Sequence, residues 1–298
     1  MTDERAGSTA PGGVPEAAPG AGPGGAPGAG PGVAPGAGPG AGPGAAGGRP
    51  EPVPVERLAL DLPPRFESPA QERAHLKERL AAALRLFAEL GYEEGVAGHL
   101  TARDPEYSDC YWVNPFGRTF TRMTPGDLVL VDGDGRVVRG GRRVNQLAFA
   151  VHAAVHRARP AVVAVAHTPT PYGTALAALR DPLAPLSEDA CAFYEDHAVL
   201  QGYAGTADAA RIARALGPRK ALVLPGRGLL TVGDSVDAAA WWLIAMERAA
   251  RVQLIARAAG KPAAMDHRDA VAVRERFGTD LAAWVNCQPL LQRVTSTS

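Results

Sequence analysis

The segment of the sequence with the clearest chemical character is residues 163–179, VAVAHTPTPYGTALAAL. A short run of small and β-branched apolar residues reaches His167, and a helix-like segment follows two residues beyond Pro169. This pattern is typical of a buried strand that delivers a metal ligand or a catalytic histidine to its exposed end. Strand alternation would direct the residue two positions after His167 the same way, yet that residue is Pro169, which has no ligand atom.

Two further histidines have a spacing used by metal ligands. His152 and His156, in HAAVH, are four residues apart and would share one face of a helix. The glutamate of an HExxH zinc motif is absent, so we interpret both as core or interface histidines. Cys110, Cys191 and Cys287 lie far apart without ligand spacing, and we interpret them as buried thiols.

Composition divides the chain into a tail, residues 1–57, and a domain, residues 58–298. To about residue 49 the tail is almost pure Gly, Ala and Pro, which cannot offset the entropy of ordering, so we expect disorder there. The rest is long enough for one α/β domain with a full core. Basic and acidic residues both number 31, so charge does not indicate nucleic acid or membrane as a partner. No run of eighteen apolar residues is present, and we expect a cytoplasmic protein.

The pattern of apolar residues predicts alternating helices and strands. Helices are predicted over 68–91, 145–160, 171–179, 211–217 and 234–260. Strands are predicted over 99–103, 110–114, 127–132, 136–140, 160–167, 220–225 and 228–233, and the DGDG turn makes a hairpin of the third and fourth. Ser68 and Gln71 have the positions of a capping box for the first helix. This order predicts an α/β fold with a mixed sheet flanked by helices.

Six blocks of the sequence, taken in order, resemble the class II aldolase/adducin family, in particular its bacterial branch with an NPFG signature. The blocks are EEGVAGHLTARDPE, WVNPFG, DLVLVDGDGRVV, NQLAFAVHAAVHRARPAVVAVAH, DACAFYEDHAVL and GLLTVGDSVDAAAWWLIAMERAARVQLIARAAG, and together they cover about residues 74–266. The resemblance implies αβα layers around a largely antiparallel central sheet. It also implies a homotetramer with active sites between subunits.

Catalytic members of that family hold a divalent metal, usually zinc, with three histidines, and a carboxylate on the preceding helix carries the proton. His167 matches the first of these ligands and is the only one that remains. The second ligand falls on Pro169, the third on Arg227, and the carboxylate near Ala148. A guanidinium stays protonated and cannot ligate a metal. We therefore predict no cofactor, and a zinc or iron site only if other residues rearrange into one.

Arg227 places a permanent positive charge about where the family's metal would lie, and a guanidinium pairs well with a carboxylate or an enolate oxygen. We therefore predict a divergent aldolase-like enzyme, a lyase acting on a carbonyl or 2-oxo acid substrate, in secondary metabolism, with His167, Arg227 and His99 as catalytic residues. Family members often carry an asparagine lining the pocket at the position of His99. Further candidates for substrate binding are Asn114, Gly117, Arg118, Asn145, Gln146 and Tyr194.

Two alternatives stand beside the lyase. The first is a non-catalytic structural or regulatory protein, since adducin has this fold without the metal. The second is an aldolase-like oxygenase acting on an aromatic 2-oxo acid, as the NPFG branch includes such proteins. An Arg227 side chain in a cavity beside His167 and His99, with no acid to neutralise it, would favour an enzyme. An Arg227 paired to an acid, with the cavity collapsed, would favour the non-catalytic protein.

Overall fold

The computed structural model describes residues 61–205 and 208–295 of the 298-residue chain. The tail predicted to be disordered lies outside the described residues. The described helices are α1 (Pro69–Glu89), α2 (Gln146–Ala158), α3 (Pro171–Leu179), α4 (Glu188–Cys191), α5 (Ala209–Leu216), α6 (Val236–Ala259), α7 (His267–Phe277) and α8 (Asp280–Thr295). The strands are β1 (His99–Arg103), β2 (Cys110–Val113), β3 (Val129–Asp132), β4 (Val137–Arg139), β5 (Ala164–Thr168), β6 (His197–Val199), β7 (Ala221–Leu224) and β8 (Gly228–Gly233).

The described strands form one sheet in the order β4-β3-β2-β1-β5-β8-β7-β6. Every neighbouring pair is antiparallel except β6 and β7, which are parallel. The predicted mixed, mostly antiparallel sheet is confirmed, and so is the hairpin of β3 and β4. None of the described helices is long and apolar enough to cross a membrane.

Helices cover both faces of the sheet and give the αβα layers. On one face, Val155 of α2 and Ile212 of α5 pack in a cluster with Val165 of β5. On the other face, Leu84 of α1 and Met246 of α6 belong to a second, larger cluster. Because side chains alternate along a strand, the residues of β1 and β5 that share a face with Val165 point toward α2.

The first helix begins as predicted at Ser68, whose hydroxyl accepts a hydrogen bond from the Gln71 N–H at 3.3 Å. The return bond differs from the predicted capping box, because the Gln71 side chain accepts from the N–H of Glu67 instead of Ser68. The long helix α6 is capped by Ser235, whose hydroxyl accepts a hydrogen bond from the Ala238 N–H at 3.1 Å. Helices α4, α7 and α8 and strand β6 were not predicted.

Glu247, buried on α6, holds the first turn of α3. Its carboxylate accepts hydrogen bonds from the Thr170 hydroxyl and from the backbone N–H groups of Tyr172 (2.8 Å) and Gly173. Thr170 makes no cap with its own side chain. A carboxylate from a neighbouring helix therefore supplies the acceptors that the start of α3 needs, and it fixes the chain just beyond β5.

Glu247→Gln tests this capping contact. The amide keeps the size of the side chain but turns an NH₂ group toward backbone donors, so we expect the free energy of unfolding to fall by about 2 kcal/mol. Urea denaturation measures the change. Glu275→Gln, at an exposed position of α7, is the matched control, with an expected change within about 0.5 kcal/mol. Equal stability of the two variants would contradict the cap.

Candidate active site

Three neighbouring strands bring the candidate catalytic residues to one end of the sheet. His99, the first residue of β1, lies directly opposite His167 of β5. Both share a face with Val165 and so point toward α2. Arg227 immediately precedes β8, the strand on the other side of β5. These residues line a cavity of ≈ 220 Å³ together with Ala97, Gly98, Asn145, Ala148, Pro169 and Gly226.

A tight turn presents Arg227 to this cavity. The N–H of Arg227 donates to the carbonyl of Leu224 at 2.9 Å, with Pro225 and Gly226 between them. Gly226 has φ +73°, which is the requirement of the third position of a type II turn, and proline is favoured before it. Gly228 has φ +90°, and a Cβ there would lie 3.1 Å from the Cα of Pro169. The sequence PGRG therefore fixes Arg227 beside the end of β5.

His167 is neutral and its tautomer is defined. Its Nε2 lies 3.1 Å from the carbonyl oxygen of Arg227, which can only accept. Burial, the Arg227 guanidinium and His99 lower the pKa of His167 to about 3. The neutral ring therefore carries its proton on Nε2, and Nδ1 is an acceptor. Burial and Arg227 likewise lower the pKa of His99 to about 4, so both histidines are uncharged at neutral pH.

The Arg227 guanidinium is not neutralised within residues 61–205 and 208–295. Its NH1 nitrogen is buried without a hydrogen-bond partner, and no described carboxylate forms an ion pair with it. A guanidinium stays protonated, so the cavity carries a fixed positive charge. An orphaned donor of this kind in a cavity indicates a site for an anionic group.

Behind the cavity lies a hydrogen-bonded group of three buried side chains. The Thr101 hydroxyl lies 2.9 Å from Nδ1 of His152 and 3.0 Å from Nε2 of His156. The His156 ring stacks on Tyr111 with ring centroids 4.5 Å apart. The rings of His99 and His152 lie 6.1 Å apart at their centroids. His152 and His156 are thus core histidines, as interpreted from the sequence, but they join the site instead of being isolated from it.

The residues at the family's ligand positions do not fit a metal ion. The Nε2–H of His167 donates a hydrogen bond to the carbonyl of Arg227, Pro169 has no ligand atom, and the Arg227 side chain is a cation. In the part of the chain that the structure describes, no three His, Cys, Asp or Glu side chains are arranged to hold a metal. The positively charged side chain that lines this cavity is the guanidinium of Arg227.

Two of the predicted substrate-binding residues lie at the site but use their side chains on the backbone. The Asn114 amide accepts from the N–H of Leu100 at 3.1 Å and donates to the carbonyl of Gly98 at 3.3 Å, so it clamps the chain on both sides of His99. Asn145 lines the cavity and caps α2, because its side-chain oxygen accepts from the N–H of Ala148 at 3.2 Å.

The remaining predicted residues do not line the cavity. Gln146 donates to the carbonyl of Gly135, and Arg118 pairs with Asp127 at 3.1 Å. The Tyr194 hydroxyl lies 3.1 Å from Nδ1 of His267 on α7. Gly117 serves a backbone turn at φ +74°. Gln146 begins α2, whereas Gly117, Arg118 and Tyr194 lie in loops whose course the sequence pattern does not determine.

Sequence reasoning missed two residues at the site. Thr101 shares a face with His99 in the strand HLTAR, and this alternation was a readable signal. Tyr203 packs its ring within 3.6 Å of the position of a Cβ on Gly226, and it is 68% exposed. No motif marked Tyr203, because a loop places it there.

With this fold and site, comparison with known proteins defines the class. Residues 78–254 match the family model described as class II aldolase and adducin N-terminal domain. The decarboxylase NovR of Streptomyces niveus is 47% identical over 234 residues, which cover 76% of this chain and 87% of that protein. The chain therefore belongs to the class II aldolase/adducin family, and the resemblance noted in the sequence is confirmed.

A second relative and two solved structures agree. The 4-hydroxy-3-prenylphenylpyruvate oxygenase/4-hydroxy-3-prenylbenzoate synthase of Streptomyces roseochromogenus subsp. oscitans is 46% identical and covers 76% of this chain and 84% of that protein. An L-fuculose 1-phosphate aldolase of Glaciozyma antarctica PI12 superposes with a TM-score of 0.75 at 44% identity over 78% of this chain and 94% of that chain. An aldolase II superfamily protein of Pseudomonas syringae superposes with a TM-score of 0.68 at 31% identity, over 74% of this chain and 94% of that chain. The chain is thus similar to one protein named as a decarboxylase and to another named as an oxygenase and synthase.

Because its histidines are buried and neutral, we expect the free energy of unfolding of this protein to fall at acidic pH. Burial and Arg103 lower the pKa of His156 to about 3 from 6.5, so between these values the unfolded chain binds a proton that the folded chain does not. Stability is therefore full above about pH 6.5 and falls with decreasing pH, by about 1.4 kcal/mol per pH unit for each such histidine. We expect His156→Gln to flatten this slope by that amount between about pH 5.5 and 4.5.

Denaturant unfolding at several pH values measures the slope. His267→Gln, at a position whose side chain is 70% exposed, is the control, and we expect the slope of its unfolding free energy against pH to equal that of the unmodified protein. Identical slopes for the unmodified protein and His156→Gln would refute a neutral, buried His156.

Proposed function

We propose that this chain is a divergent class II aldolase-like enzyme that cleaves a carbon–carbon bond of a 2-oxo acid, with Arg227 binding the substrate's carboxylate or enolate oxygen. One observation carries the proposal: the guanidinium lines a cavity, its NH1 is buried without a partner, and no described acid neutralises it. A carboxylate is the group whose planar, two-oxygen geometry matches a guanidinium.

The histidines support the same assignment. His99 and His167 lie on the cavity wall and are held neutral by burial and by Arg227. Neutral imidazoles beside a cation can accept a proton from the substrate without adding a second positive charge to the site. Such a set of one fixed cation and two weak bases suits a reaction in which negative charge develops on the substrate.

The names of the relatives favour an aromatic 2-oxo acid. Two proteins at 47% and 46% identity are named a decarboxylase and a prenylphenylpyruvate oxygenase/prenylbenzoate synthase. The ring of Tyr203 lies against Gly226, which lines the cavity, and this exposed ring is available to pack on an aryl group. We therefore propose an arylpyruvate, in secondary metabolism, as the substrate class.

Two reactions fit a 2-oxo acid in this cavity, and each takes its own substrate: a 4-hydroxy-2-oxo acid for the lyase and an arylpyruvate for an oxidation. In the lyase reaction, the bond between C3 and C4 of a 4-hydroxy-2-oxo acid breaks, the hydroxyl proton goes to a histidine, and the electron pair stays on C3 as an enolate beside Arg227. Protonation at C3 then gives an aldehyde and a 2-oxo acid. The second candidate is oxidative shortening of an arylpyruvate with dioxygen as the oxidant, and the name of the 46% relative favours it.

A non-catalytic role is less well supported. It would be favoured by an ion-paired Arg227 in a collapsed cavity, whereas here the cavity is open and the described part of the chain offers Arg227 no acid. Mouse α-adducin is 32% identical over 188 residues, but these cover only 25% of that protein. A homotetramer, implied by the family resemblance, remains part of the proposal.

Arg227→Gln tests the anion site. Loss of one charge-assisted contact of about 1.5–3 kcal/mol should weaken phenylpyruvate binding by roughly ten- to a hundredfold, measured by calorimetry. Product formation from arylpyruvates and 4-hydroxy-2-oxo acids, followed by mass spectrometry, should fall with it. Running the unmodified protein with and without dioxygen separates the oxidative reaction from the lyase.

Arg136→Gln is the matched control, because it removes the same charge from a side chain that is 75% exposed on the hairpin of β3 and β4. We expect it to bind phenylpyruvate like the unmodified protein. Equal affinities of all three proteins would rule out Arg227 as the carboxylate anchor.

We also propose that Arg227 takes the place of the family's metal, and elemental mass spectrometry of protein purified without chelator tests this. We expect no stoichiometric zinc, iron or manganese in the unmodified protein. The double variant Pro169→His, Arg227→His restores imidazoles at two family ligand positions and is expected to load zinc. Near-stoichiometric metal in the unmodified protein would overturn the replacement and indicate a rearranged site.

A further inference from the structure

The side chain of Asn145 carries an acceptor and a donor, and the described structure uses only the acceptor. Its Oδ1 accepts a hydrogen bond from the N–H of Ala148 at 3.2 Å, which makes Asn145 the N-cap of α2. A backbone N–H can only donate, so the oxygen of the amide and not its nitrogen must face Ala148. The cap therefore fixes the orientation of the amide and points its NH₂ group away from that N–H.

The NH₂ group of Asn145 is a free donor at the cavity. Asn145 lines the cavity, and among the residues that the structure describes its Nδ2 has no hydrogen-bond partner. Unlike NH1 of Arg227, this nitrogen is accessible instead of being sealed in the interior. A polar group that is accessible, unused and fixed in orientation is the kind of group that orients a ligand in a pocket.

The other polar side chains of the cavity wall are also available to a ligand. They are the guanidinium of Arg227 and the imidazoles of His99 and His167. His99 is only 5% exposed, and its Nδ1 has no partner in the described part of the chain. None of the described residues that line the cavity is an acid. A ligand must therefore bring its own acceptors to the two donor groups, Arg227 and Asn145.

The start of α2 favours an acceptor that carries negative charge. Asn145 directly precedes this helix of 13 residues, whose first N–H groups carry a partial positive charge. Arg227 adds a full positive charge to the same cavity. An oxygen bound to the NH₂ group of Asn145 is thus stabilised further when it gains electron density.

A 2-oxo acid carries acceptors in the pattern that these donors require. The two oxygens of a carboxylate match the two parallel N–H groups of a guanidinium, as in a bidentate pair. When both carboxylate oxygens are bound to Arg227, the next acceptor along the molecule is the oxygen on C2. The remaining donor of the wall is the NH₂ group of Asn145.

We infer that the NH₂ group of Asn145 donates a hydrogen bond to the 2-oxo oxygen of the substrate while Arg227 holds the carboxylate. Asn145 is then a substrate-binding residue that favours 2-oxo acids over acids with no oxygen on C2. The inference rests on the proposed function, because it takes the carboxylate at Arg227 as given. In the lyase reaction the same oxygen carries the charge of the enolate, so this donor also stabilises the charge that develops.

Asn145→Ser tests the donor while keeping the cap, because serine is as good an N-cap as asparagine but has no NH₂ group. Calorimetry without dioxygen compares phenylpyruvate with 3-phenylpropanoate, which has the same ring and carboxylate but no oxygen on C2. We expect the variant to bind phenylpyruvate roughly three- to tenfold more weakly, through loss of one hydrogen bond, and 3-phenylpropanoate with unchanged affinity. Asn286→Ser, at an exposed position of α8, is the matched control and should bind both ligands like the unmodified protein.

Equal weakening of both ligands by Asn145→Ser would overturn the inference, because the amide would then contact the carboxylate. Unchanged affinity of the folded variant for phenylpyruvate would also overturn it. If circular dichroism shows that the variant does not fold, the unmodified protein decides, and equal affinities for the two ligands contradict the inference.

Arg227→Gln, measured with the same two ligands, keeps the two proposals apart. We expect it to weaken both ligands, since both carry the carboxylate. Weaker binding in Arg227→Gln alone refutes the role of Asn145 and leaves the carboxylate site. Weaker phenylpyruvate binding in Asn145→Ser alone refutes Arg227 as the anchor. If the unmodified protein binds neither ligand, the proposed 2-oxo acid site fails and the inference fails with it.

Discussion

The register of three antiparallel strands is the constraint on which this site depends. β5 lies between β1 and β8, and pairing sets His99 opposite His167 and starts β8 one residue after Arg227. Side chains alternate, so a slip of one residue in β1 would send His99 and Thr101 to the opposite face, away from α2. The apolar core opposes such a slip, because Leu100 and Ala102 of β1 belong to the larger cluster on the other face and would be moved out of it. The packing of the apolar residues thereby holds the polar side chains of His99 and Thr101 on the face toward α2.

Within that frame, burial and one fixed charge together keep the neighbouring imidazoles neutral. Arg227 lowers the pKa of His99 and of His167, after burial has already done so. Burial first and then His99, His167 and His156 lower the pKa of His152 as well. The described site therefore contains one cation among neutral rings, and the neutral rings need donors and acceptors instead of counter-ions. Hydrogen bonds to Thr101 and to the backbone carbonyl of Arg227 meet part of that need.

Much of this arrangement could be predicted from the sequence, because its strands and helices carry periodic patterns. Residues in loops carry no such pattern, and their positions could not be predicted. Strands β1, β3, β5 and β8 and the long helix α6 carry strong apolar patterns and clear caps, so their existence and order were predictable. His167, Arg227 and His99 were predicted because motif blocks place them at strand ends, and the structure brings them together. Tyr194 lies away from this chain's cavity, because its hydroxyl contacts His267 of α7, a helix that the pattern did not predict. Loop positions such as Tyr203 follow from tertiary packing and leave no periodic signal.

Arg227 and Ala148 differ from the residues that the family resemblance implies at these positions, and together they leave the net charge of the site the same. A dication with one carboxylate on the preceding helix gives such a site one net positive charge, as the family resemblance implies. Here the described site has Arg227 at one of the ligand positions that the resemblance implies and Ala148 near the position of the acid, so the cavity wall also carries one positive charge. Had only the metal position changed to arginine, the carboxylate would have paired with the guanidinium and removed its capacity for an anion. With Ala148 there, no carboxylate of the described site pairs with the Arg227 guanidinium, and burial together with this charge keeps the neighbouring histidines neutral.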